Sequence, residues 1–110
     1  MDLPDTPFTH LNWDGVPVIE HPGTTGMSHW RTFTSGELRV RIVDYHPGFL
    51  ADHWCDIGHV LYVITGQLFV EFADGAEVAL NAGSSFCVST HGDAAHRVRT
   101  DQHCRVFIVD

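Results

Sequence analysis

From residue 38 onward, apolar and polar positions alternate in short runs, and this period of two predicts strands. In the run 38–45, Leu38, Val40 and Ile42 share one face and Arg39 and Arg41 the other. Arg41 and Tyr45 are therefore read as a solvated strand face rather than as pocket residues that bind an anion. Pro47-Gly48 turns the chain. Further runs follow at 50–55, 60–64, 67–72, 77–80, 85–88, 96–100 and 104–109. Thr65-Gly66, Asp74-Gly75 and Asn81-Ala82-Gly83 separate them, and Asp-Gly is a hairpin signal. Residues 89–95 are expected to form a loop.

No stretch after Phe33 carries apolar residues at helical spacing over ten residues. The first 33 residues read as an irregular arm, because Pro4, Pro7, Pro17 and Pro22 with Gly15, Gly23 and Gly26 break any helix. Only 16–19 suggests a short edge strand, where proline is tolerated. Many short strands with frequent turns predict an all-β sandwich or barrel, and at 110 residues a single jelly-roll domain (arm 1–33, β-barrel 34–110). Phe49, Leu61, Val63, Phe69, Val98, Val106 and Ile108 are candidates for its dry inner wall.

Composition narrows the function. Six Arg stand against 14 acidic residues, a net charge of −8, and there is no Lys. Such a chain lacks the basic footprint of a nucleic-acid or anionic-membrane binder. Lysine Schiff-base and P-loop chemistries are excluded. No run approaches a membrane span. The acidic start lacks the apolar stretch of an export signal, and three Cys is an odd number, so a reducing, cytoplasmic setting without disulfides is expected.

Nine His in 110 residues is the surplus to explain. Four soft or borderline ligands fall in two groups, His53, Cys55 and His59 in one and His96 in the other. Residues i and i+2 of a strand face the same side, so His53 and Cys55 are expected to project together. The spacer Asp56-Ile57-Gly58 would let His59 return facing the same interior. Three imidazoles and a thiolate would make a tetrahedral or facially open site for a divalent metal. Cys55 has a second reading, as a pocket thiol that binds no metal or is redox-active. Cys87 and Cys104 are read as core fillers and His91 as a loop residue. His10, His21, His29, His46 and His103 are read as surface or supporting residues. Asp52 or Asp56 is placed to hydrogen-bond a ligand imidazole. Trp54 and Asp52 are expected on the face opposite His53.

The run Gly48-x4-His53-x-Cys55-x3-His59-x6-Gly66 resembles the first cupin motif. The stretch from Gly83 to His96 resembles the second, which supplies the fourth ligand. Asp52-His53-Trp54-Cys55 with Gly58-His59 is similar to the "DHCW motif cupin fold" proteins, with the last two letters exchanged. Cys55 stands where the motif usually has a second His, His59 where it has a carboxylate, and Ser89 where the second motif has proline. The resemblance implies a cupin jelly roll, a homodimer formed through a sheet face, and small-molecule chemistry of a dioxygenase or isomerase kind. Ligand softness favours Zn²⁺, with Fe²⁺, Ni²⁺ or Cu next. Two functions remain in view: a metal-dependent enzyme on a small molecule, or a non-catalytic ligand-binding or redox-sensing module with a structural metal. A divalent cation with one thiolate adds about +1 to the pocket, which favours an anionic ligand there.

Overall fold

The computed structural model describes residues 1–91 and 95–110. Gly92, Asp93 and Ala94, part of the expected 89–95 loop, lie outside the described residues. Among the described residues a short 3₁₀ turn (Trp13–Gly15) precedes nine strands. They are β1 (Ile19–Pro22), β2 (Met27–Ser35), β3 (Leu38–Tyr45), β4 (His59–Thr65), β5 (Gln67–Phe72), β6 (Glu77–Asn81), β7 (Ser85–Val88), β8 (His96–Arg99) and β9 (Cys104–Val109). They form a six-stranded sheet, β1-β2-β3-β9-β4-β7, and a three-stranded sheet, β6-β5-β8, all antiparallel. Long-range pairs such as β3 with β9 make this a jelly-roll arrangement rather than a meander.

The core lies between the sheets. Val43, Leu61, Val63, Leu68, Val106 and Cys104 are at most 2% exposed. Burying one such aliphatic side chain contributes about 1.5–3 kcal/mol. Gly66 closes the β4–β5 turn at φ +82°, and a Cβ there would stand 2.3 Å from the His103 carbonyl oxygen. Only glycine takes that backbone shape in that space.

Several expectations are corrected. β2 lies largely inside the stretch read as irregular and pairs with β3 from Ser28↔Tyr45 to Ser35↔Leu38. Each face of β2 mixes polar and aromatic residues, so hydropathy alternation is weak although Thr and aromatics favour strands. The edge strand runs 19–22 rather than 16–19. The run 50–55 is not a strand; it meets the ladders at isolated bridges through Leu50 and Cys55 and through the Ala51 N–H, which donates to the Val98 carbonyl. On β3 the inner face is the odd-numbered one: Val43 and Tyr45 join the core, and Arg39 and Arg41 follow them inward. Arg41 is 6% exposed and not solvated. Phe69 lies on the outer face of β5, its ring under the Arg99 guanidinium at 4.1 Å, while Leu68 and Val70 point inward. Cys104 is buried as expected, but Cys87 is exposed, at an outer position of β7 between the half-buried Phe86 and Val88.

Candidate metal centre

One end of the space between the sheets is polar. The register β3–β9–β4 pairs Arg41 with Ile108 and Ile108 with Leu61. One step toward the rim, Arg39 and Asp110 exchange backbone hydrogen bonds, and His59 begins β4 beside them. Inward-facing apolar rows thus give way to a row of Arg39, Asp110 and His59.

The facing wall comes from β8 and the broken segment before β4. The Cys55 N–H donates to the His96 carbonyl (2.6 Å) and the His96 N–H to the Cys55 carbonyl (2.9 Å). This reciprocal pair sets the two side chains side by side. The donor atoms of Cys55, His59 and His96 all lie within 4.8 Å of one another. The His59 and His96 Nε2 atoms are 3.1 Å apart. Phe86 closes the cluster, its ring centroid 5.5 Å from His59 and 5.8 Å from His96.

His53 is not brought into the cluster. Leu50 pairs with Arg99 and Cys55 with His96, so five residue steps on one side span three on the other. The two surplus residues bulge outward at 52–54, which are exposed. The i, i+2 rule holds only on a regular strand, and here the strand is interrupted between the two residues. His53 lines the mouth of the same cavity, its Nδ1 held 2.7 Å from an Asp52 oxygen. Trp54 is covered by the Arg97 guanidinium at 4.4 Å. Asp56 pairs with His91 at 2.7 Å rather than with a cluster imidazole.

The donors suit a metal. Burial pushes His59 down to about 4, reinforced by His96, Arg41 and Arg39 and opposed by Asp110. Burial also lowers His96. Both rings are therefore neutral near pH 7, the form that binds a cation. Two nitrogens on one ion at about 2.05 Å stand roughly 2.9 Å apart at a right angle and roughly 3.3 Å apart at the tetrahedral angle. The observed 3.1 Å falls between these values. Two imidazoles and one cysteine sulfur make a three-donor set, which leaves a coordination position for solvent or substrate. His59 Nδ1 is buried and has no partner among the described residues. A ligand imidazole usually donates there, so the site lacks that support on one side.

The cluster opens into a cavity of about 430 Å³, the size of a small-molecule site. Sequence reasoning missed part of its lining: Arg39, Arg41 and Asp110. The signal was present, since Arg39, Arg41, Val43 and Tyr45 alternate as regularly as the apolar set does.

No protein-family model matches the chain, and no curated protein does. Solved structures do. A sugar phosphate isomerase from a cupin superfamily of Silicibacter pomeroyi superposes with a TM-score of 0.72 at 18% identity, covering 92% of this chain and 74% of its own. A cupin-2 domain protein from Shewanella frigidimarina gives 0.57 at 20% identity, covering 74% and 78%. The chain has the jelly-roll fold of these cupin structures. Fe(II)-HppE with an alternative substrate also superposes on it, with a TM-score of 0.75 at 16% identity, covering 99% of this chain and 62% of that one. These matches do not bear on the narrower resemblance to DHCW-motif proteins, which rests on the sequence. Among the described residues no helix is long and apolar enough to cross a membrane.

Proposed function

We propose that this cupin binds a divalent transition metal through Cys55, His59 and His96 and acts on a small molecule in the adjoining cavity. The observation that carries the reading is the meeting of three donors suited to a borderline metal, from two separate parts of the chain, on the wall of that cavity. One thiolate with two imidazoles suits Zn²⁺ best, then Fe²⁺, Ni²⁺ or Cu. The structural neighbour bound to Fe(II) supports a reactive metal in this fold. Bound there, the ion would polarise a substrate oxygen or activate a water. The protein's own part is to hold two imidazoles neutral, keep the centre dry with Phe86, Leu61 and Ile108, and leave one side open. In this reading three donors hold the ion, and His53 stands at the mouth. An isomerase- or dioxygenase-like reaction and a homodimer are further parts of the proposal that the cupin fold supports by analogy.

The test is elemental analysis of the purified protein beside Cys55→Ala and His59→Ala. The wild type is expected to carry close to one metal per chain, and each variant to lose it with a fall in melting temperature. At free metal about 100 times Kd, binding to the folded state contributes about 2.7 kcal/mol. A wild type that takes up none of Zn²⁺, Fe²⁺, Ni²⁺ or Cu²⁺ overturns the reading.

A further inference from the structure

The same cavity holds charges that the metal cluster does not use. Arg39 Nε and Nη2 donate to the two Asp110 side-chain oxygens, each at 2.8 Å, and Arg41 Nη2 donates to one of them at 2.9 Å. Two guanidinium groups thus share the one side-chain carboxylate of Asp110. Arg39 spends its planar edge on Asp110. Arg41 does not: its Nε is buried with no partner among the described residues, although the residue is only 6% exposed.

That donor is held in place. The Trp30 ring lies 4.6 Å from the Arg41 guanidinium carbon and stacks in turn with His21 at 3.8 Å. Tyr45, four residues on from Arg41 along the same strand face, lines the same cavity. Its buried phenol stays protonated and offers an O–H. Arg41, Tyr45 and the cluster residues Cys55, His59 and His96 all line this one cavity, so the corner and the metal cluster face the same space. An unpartnered N–H on a buried cation, fixed by an aromatic stack, is a donor awaiting an acceptor.

We propose that Arg41, supported by Trp30 and Tyr45, is the docking point for the oxyanion of a small substrate, a carboxylate or a phosphate, whose other end faces the metal cluster. This rests on the metal-centre reading for the role of the far end, but not for the binding of the anion. Arg39 and Asp110 are positioning residues that keep the Arg41 guanidinium in its plane.

The experiment is titration calorimetry on the full chain, prepared with and without zinc, using acetate, inorganic phosphate and the neutral acetamide. Arg41→Gln and Arg41→Lys are compared with wild type, and zinc content is measured on every sample. Arg41→Gln/Asp110→Asn is included because Arg41→Gln alone leaves Asp110 less compensated. The wild type is expected to bind acetate or phosphate saturably and acetamide not at all; whichever anion binds identifies the substrate headgroup. Arg41→Gln should weaken that binding about tenfold or more at unchanged zinc content, and Arg41→Lys should weaken it less. The idea is overturned if the wild type binds neither anion, or if the Gln-bearing variants bind as the wild type does. A missing metal site would show separately, as zinc-free protein that still binds the anion through Arg41.

Discussion

His53 and Cys55 stand two residues apart, yet only Cys55 reaches the cluster, because the chain bulges between them. Residue spacing made Cys55, His59 and His96 legible as a group; the interruption was not legible, since nothing in Asp-His-Trp announces two surplus residues. His53→Ala is therefore expected to keep its metal and to melt near the wild type, whereas His96→Ala loses both metal and stability. Elemental analysis with thermal melts distinguishes the two. Four of the histidines that spacing left without a task are also placed. His29 Nδ1 meets His46 Nε2, His103 Nε2 lies 2.8 Å from Asp44, and His21 stacks on Trp30. These contacts depend on strand pairing between distant segments, which no local pattern encodes.

The short strands of the second half were readable because their turns carry glycine at fixed places and their faces alternate cleanly. β3 shows the limit of that reading. Both of its faces alternate, and the one with arginines turns inward, because Val43 and Tyr45 lie on it and the core needs them. Gly58 shows how an element end positions chemistry. Its N–H donates to Thr90 Oγ1 at 2.8 Å, and a Cβ there would stand 2.6 Å from the Thr90 backbone nitrogen. Gly58→Ala must push the start of β4 away from that loop, and His59 is the next residue. A loss of about 1–3 kcal/mol in urea unfolding is expected. Reduced metal content should accompany it. A variant with unchanged stability and unchanged metal would show that the loop yields freely.

On the scale of the whole molecule, Asp44 ties three neighbouring strands on the sheet's outer side. Arg105 Nε donates to it at 2.9 Å, His103 Nε2 lies at 2.8 Å and Arg31 Nη1 at 3.5 Å. Burial alone would raise its pKa, but the hydrogen bonds from Arg105 and His103 outweigh this and hold it below the ordinary value. A carboxylate depressed in the folded state contributes stability that is present above its unfolded pKa of about 3.9 and is lost as pH falls through the folded one. Stability is thus expected to drop on acidification below about pH 4. Asp44→Asn should be less stable at neutral pH and show a shallower acid slope in urea titrations. An unchanged slope would mean that Asp44 does not carry this linkage. The bend at 52–54 has a consequence of another kind. Because it lies outside the hydrogen-bonded ladders, its side chains can be exchanged without disturbing any strand register. The mouth of the cavity can therefore drift in evolution, or be redesigned for a new ligand, while the barrel behind it stays the same.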